Sequence, residues 1–231
     1  MNVLDHMQVV LRVCLVGLTM LGLQSSSPPS LLSFPTDDGG TVYAHEYGKG
    51  DRAVLLAHGG RFNKESWAPQ ARVLVDAGFR VLAIDFRGYG QSSGPGQQDI
   101  FSAPLYKDVL AGVHYLRKHG AKTVSIVCGS MGCAAGIAAI EAPDEIRRLV
   151  TLGTAPDGAV DRLKVPTLII IARDDANADG PRLPRVRQVY ERMMGPKELI
   201  VLDGSAHAQF LFTGDQNERV MKEILRFLSG S

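Results

Sequence analysis

The chain is poor in cysteine, balanced in charge and without an apolar run of membrane length, and each absence removes a class. Its three cysteines, Cys14, Cys128 and Cys133, make no disulfide framework. Cys128 and Cys133 fall at the end of an expected strand and in the first turn of an expected helix, where small buried thiols fit. Neither has the partners of a zinc site. His114 and His119 stand five residues apart, off a common helix face, which excludes a helical metal pair. No metal or organic cofactor is expected. Lys and Arg number 25 against 24 Asp and Glu, scattered singly or in pairs such as Arg147-Arg148, so no field is built for nucleic acid.

The one apolar run, residues 13–23 (VCLVGLTMLGL), is too short to span a bilayer and leads into Gln24-Ser25-Ser26-Ser27-Pro28-Pro29-Ser30. Residues 1–30 therefore read as a leader, either an export signal or a poorly ordered segment. Asp5, with Arg12 the sole clear positive charge, makes a weak signal start, so cytoplasmic residence is preferred to export. Residues 31–231 are left for one domain. With 45% hydrophobic and 21% charged residues in a chain of 231, there is material for one substantial domain, and two full domains would be crowded.

What is present is a regular alternation. Residues 31–34 and 41–47 bracket the turn-rich Thr36-Asp37-Asp38-Gly39-Gly40 and predict an antiparallel pair. Further strands are predicted at 53–57, 79–84, 123–127, 149–152, 167–171 and 199–202. Helices are predicted at 69–77, 105–116, 131–140, 186–194 and 219–228. Fully apolar strands separated by amphipathic helices imply a mostly parallel sheet covered on both faces. Only thirteen residues lie between Leu152 and Pro166, room for a loop and a turn but not for an inserted cap domain. A site without a lid is open to solvent and suits small or exposed acyl groups.

The chemistry concentrates at strand ends. Val124-Ser125-Ile126-Val127-Cys128-Gly129-Ser130-Met131-Gly132 runs an apolar strand into a serine flanked by glycine and then into a small-residue helix. A sharp strand-to-helix turn exposes the hydroxyl as a nucleophile and sets a helix N-terminus beside it for an oxyanion. The Met131 N–H is one expected donor. The other comes from His58-Gly59-Gly60-Arg61, with Gly60 N–H first and Arg61 N–H next. A carboxylate to orient the base follows the strand at 167–171. Asp175 is preferred, Asp174 is the reserve, left to cap the loop or pair with Arg173, and Asp179 is the weakest candidate. The base is His207, in the small-residue loop Asp203-Gly204-Ser205-Ala206-His207 before the last helix. His58, Asp85 and Arg87 are read as loop-fixing. Arg61, Phe62, Trp67, Tyr89 and Phe210 (with Phe212) are candidate pocket residues.

Taken together, His58-Gly59-Gly60, Asp85-x-Arg87-Gly88-x-Gly90-x-Ser92, the turn at 128–132, the segment from Pro166 to Asp175 and Gly204-x-x-His207 resemble the α/β-hydrolase superfamily over residues 31–229. The resemblance implies a three-layer sandwich around a mostly parallel eight-stranded sheet, with Ser130, Asp175 and His207 as triad. Cys128 stands where the family has glycine, and Ile171-Ala172 where it has His-Gly. The short, lidless form is similar to small carboxylesterases and dienelactone-hydrolase-like enzymes, although the latter typically use a cysteine where this chain has Ser130. The reaction implied is hydrolysis of a small-molecule ester through a covalent acyl-enzyme. Thioesterase or peptidase activity is the nearest alternative, and a non-catalytic binding protein is the reading from another class. Haloalkane dehalogenation would need a carboxylate in place of Ser130. No oligomeric state is implied.

Overall fold

Every second residue of a strand faces the same way, so a strand apolar throughout needs cover on both sides. In β3 (Arg52–Ala57), β4 (Arg80–Ile84), β5 (Thr123–Gly129) and β7 (Thr167–Ala172) the two alternating sets go to two separate cores. Leu55, Leu82, Ile84, Ile126 and Ile169 face one core; Val54, Leu56, Val81, Val127 and Ile170 face the other. The computed structural model describes residues 28–230, so the expected leader falls outside the described residues except for its last three positions.

Eight strands form one sheet in the order β1-β2-β4-β3-β5-β6-β7-β10. Here β1 is Ser30–Pro35, β2 Thr41–Tyr47, β6 Ile146–Leu152 and β10 Lys197–Leu202. β2 runs antiparallel to β1 and β4, and the remaining neighbours are parallel. Helices α1 (Ala68–Asp76) and α5 (Asn217–Ser229) cover one face. Helices α2 (Leu105–Lys118), α3 (Ala135–Glu141) and α4 (Arg182–Arg192) cover the other. This is a three-layer α/β sandwich. Between β6 and β7, residues 153–166 form a loop with one 3-10 turn, Val160–Arg162, and no cap domain. No helix among the described residues is long and apolar enough to cross a membrane.

The strand order positions the site. The chain steps from β3 outward to β4 and returns past β3 to β5, so β3 and β5 are neighbours at a switch point where a crevice opens beyond their carboxyl ends. Register keeps those ends level: Ala57 pairs with Cys128, Gly129 with Leu152 and Ala172 with Leu202.

Three elements depart from the sequence reading. The helix expected over 131–140 begins as a 3-10 turn, Ser130–Ala134, and becomes α-helical only from Ala135. There the Cys133 carbonyl accepts the Asp157 N–H, 3.0 Å. Helix α4 starts at Arg182 and not at 186, because Pro184 lies in the first turn, where a missing N–H costs no intrahelical bond. A two-stranded hairpin, β8 (Ala176–Asn177) with β9 (Gly180–Pro181), fills the space just before α4.

Candidate active site

At the carboxyl end of β5, Ser130 sits at φ +48, a conformation that side chains other than glycine seldom adopt. The crowding around it explains the neighbouring glycines. A Cβ on Gly132 would stand 2.5 Å from the Ala57 carbonyl oxygen and 2.9 Å from that of His58. One on Gly129 would reach 3.2 Å from Gln209 Oε1. Cys128 and Cys133 are free and buried behind the turn, their sulfurs 3.2 Å apart.

Three loops bring Ser130, His207 and Asp175 together. The Ser130 hydroxyl is 2.8 Å from His207 Nε2, and His207 Nδ1 is 2.7 Å from Asp175 Oδ2. The carboxylate accepts from Nδ1–H, which leaves Nε2 to accept the serine proton. Asp175 is buried, with 1% of its side chain exposed, whereas His207 keeps 26%. Asp174 is exposed and its backbone N–H is held by the Gly204 carbonyl. It does not pair with Arg173, which reaches Asp203 at 3.5 Å instead. Asp179 bonds Asn177 within the hairpin. Room for the histidine comes from Gly153 (φ +76), where a Cβ would meet Ala208 N at 2.5 Å and His207 Nδ1 at 2.8 Å.

Opposite the serine lies the loop after β3. The Gly59 N–H is taken by Gln209 Oε1 at 2.7 Å, while the Gly60 carbonyl accepts from the Tyr89 hydroxyl at 2.8 Å. Gly60 and Met131 are adjacent across the crevice, since a Cβ on Gly60 would be 3.6 Å from Met131 Sδ. The Met131 N–H belongs to the first turn of a helix and has no intrahelical acceptor. His58 is fully buried; its Nε2 accepts from Phe86 N–H at 3.2 Å, so Nδ1 carries the proton, donated to the Gly59 carbonyl at 2.9 Å. Burial lowers its pKa, so it is a neutral strut.

Asp85 and Arg87 hold the loop after β4. Asp85 accepts from the Lys64 backbone N–H and ammonium, both at 2.7 Å. Arg87 donates to Asp108 at 2.7 Å and to Asp38 at 2.8 Å. Burial works against the Arg87 charge, but those bonds win and raise its pKa. Among the described residues no group of three or more His, Cys, Asp or Glu is placed to hold a metal.

The family model described as alpha/beta hydrolase fold matches residues 52–167, which carry β3 through the start of β7 and include the serine turn. The chain belongs to the alpha/beta hydrolase fold family. Bifunctional epoxide hydrolase 2 of Sus scrofa is 37% identical over 111 residues, 47% of this chain and 19% of that protein. A putative non-heme chloroperoxidase of Synechocystis is 41% identical over 68 residues, 28% of this chain and 24% of that protein. The matched stretch thus spans a quarter or less of either relative. Among solved structures, an esterase of Pyrococcus furiosus superposes with a TM-score of 0.73 at 21% identity, over 89% of this chain and 92% of that one. This likeness is one of fold.

In this alpha/beta hydrolase the rim of the crevice is aromatic on one side. Phe62 and Phe210 meet edge to face at 4.9 Å, and the Arg61 guanidinium lies 5.9 Å from the Phe210 ring. Phe210 is 38% exposed, and Tyr89 stands between Gly60 and Met131. Trp67, expected in the pocket, is instead fully buried in the core with α1 and α5, packed against Phe212 at 5.9 Å. Its position one residue before α1 turns it beneath the helix. Sequence reasoning passed over Gln209, which also donates to Ser66 at 2.8 Å and so joins the histidine loop to the loop after β3. It passed over Gly153 as well. A polar residue two places after His207 was the single available signal for Gln209.

Proposed function

We propose that this chain hydrolyses carboxylic esters of small or exposed acyl groups through Ser130, His207 and Asp175. The observation that carries the reading is the pair of aligned contacts, 2.8 and 2.7 Å, that ends on a serine held at φ +48. His207 Nε2 takes the Ser130 proton as the oxygen attacks the ester carbonyl. The tetrahedral oxyanion is met by the Gly60 and Met131 N–H groups. His207 then gives the proton to the leaving alkoxide as the C–O bond breaks. Water, deprotonated by His207, attacks the acyl-serine, and the acid departs with Ser130 reprotonated. The short 153–166 loop favours a solvent-reached acyl site.

The epoxide reaction named for one relative fits this site poorly. A serine oxygen that opened an epoxide would form an ether, which hydroxide does not cleave, whereas an acyl ester is cleaved readily. Peptide hydrolysis fits less well than ester hydrolysis, since no lid among the described residues orders a bound chain.

The test is turnover of p-nitrophenyl esters from acetate to decanoate by the wild-type protein and Ser130→Ala. Turnover should fall with chain length, and the substitution should lower kcat by roughly 10⁴-fold or more. Labelling of Ser130 by a fluorophosphonate separates a selective hydrolase from a binding protein. Wild-type protein with neither turnover nor labelling defeats the proposal.

A further inference from the structure

The carboxylate that holds His207 has a second oxygen, and that oxygen faces a cation. Asp175 Oδ1 is buried and makes no hydrogen bond. Arg182 Nε lies 3.3 Å away, within ion-pair distance though not aligned for a hydrogen bond. The approach is built into the backbone. From Asp175 the chain makes the β8–β9 hairpin, in which Ala176 pairs with Pro181, and the next rung is the Arg182 N–H donating to the Asp175 carbonyl at 2.8 Å. Arg185 ties the hairpin down from α4 through Asn177 Oδ1 at 2.8 Å. Seven residues thus leave the acid and return to it with a guanidinium whose side chain is 25% exposed.

We propose that Arg182 is a positioning residue that acts through Asp175 by offsetting the charge on its free edge, so that His207 remains a neutral base to lower pH. The inference rests on the reading of Asp175 and His207 given above. A lone buried carboxylate stabilises the imidazolium strongly, which delays loss of its proton and leaves less free base at mildly acidic pH. A cation on the opposite oxygen subtracts from that field, and its own repulsion of the imidazolium acts in the same direction. Other charges on the surrounding elements are matched or turned to solvent. Arg173 pairs with Asp203, Arg185 with Asp179 at 3.9 Å, and Asp174 is exposed. From β5 the histidine meets Ser130, and from the end of β6 it meets Gly153.

Two readouts test the proposal, one independent of turnover. The first is the NMR titration of His207, assigned among the six histidines with His207→Gln, in wild type, Arg182→Gln and Arg182→Lys. Removal of the positive charge should raise the titration midpoint by about one pH unit, and the Lys variant should restore most of it. The second is kcat/KM for a short p-nitrophenyl ester against pH. Its acidic limb should move upward by the same amount in Arg182→Gln, with KM within about twofold. Arg182→Met, which keeps the apolar stem, serves if the Gln variant is poorly folded. A midpoint that stays put in a folded charge-removing variant overturns the proposal, as does activity lost equally at every pH. Failure of ester turnover alone, with the midpoint shifted, counts against the esterase reading and leaves the Arg182 inference standing.

Discussion

A carboxylate next to a histidine acts through one oxygen at one distance, so the identity of the acid is a residue-scale matter. Asp174 and Asp175 are chemically equal neighbours past the same strand, yet only Asp175 turns inward, 2.7 Å from His207 Nδ1. Asp175→Asn leaves the shape but presents an amide that cannot hold the imidazole in the same tautomer. It should lower kcat by about 10⁴-fold, a loss of the size known for that change in serine triads. Asp174→Asn, on an exposed side chain, should stay within about threefold of wild type. Steady-state kinetics on p-nitrophenyl acetate compare the two, and a larger loss at Asp174 would move the acid to that position.

At the scale of elements, the crossing of β3 and the turn after β5 is a tight join. The Cβ of an alanine at 132 would meet the Ala57 carbonyl oxygen at 2.5 Å, and that atom is backbone in a central strand and cannot swing aside. Gly132→Ala should cost about 1–3 kcal/mol through forced displacement and should also lower activity by shifting Ser130 and Met131. Gly214→Ala is the control, since nothing lies within 4 Å of a Cβ there. Urea unfolding midpoints separate the two variants, with Gly214→Ala expected within about 0.5 kcal/mol of wild type. Helix α4 belongs to the same scale: its first turn absorbs Pro184, and its early start is what delivers Arg182 to Asp175.

For the whole molecule, Arg87 is the node. It joins the turn between β1 and β2 through Asp38, α2 through Asp108 and the loop after β4 through the Pro95 carbonyl at 2.9 Å. The hydrogen bond from Arg87 is the main cause that lowers the Asp38 pKa from 3.8 to about 2. A carboxylate with a depressed folded-state pKa adds stability that is complete above its unfolded value and is lost as pH falls through the folded one. The Asp38 contribution is therefore full above about pH 4 and gone near pH 2. Asp38→Asn should be less stable than wild type at pH 7, with the difference closing between pH 4 and pH 2. Chemical denaturation at a series of pH values measures it, and a difference that persists unchanged to pH 2 contradicts the assignment.

The alternation of apolar strands and amphipathic helices was legible because those periods are local: two residues for a strand and 3.6 for a helix, each read within one element. The order of Ser130, Asp175 and His207, each just beyond an apolar strand, was legible for the same reason once a parallel sheet aligned the strand ends. Convergence has no such local signature. Gly59 and Gln209 meet across 150 positions of sequence. Trp67 and Phe62 look alike as aromatics near a glycine loop, but one lies under α1 and the other on the rim. Which aspartate turned inward and which arginine balanced it also waited on the tertiary structure, because a side chain's neighbours depend on how distant loops pack and not on its own place in a repeating pattern. The sequence alone determined the layers, the strand ends and the chemical types available there; the packing of loops 58–60, 173–182 and 203–209 against one another decided which of those groups touch.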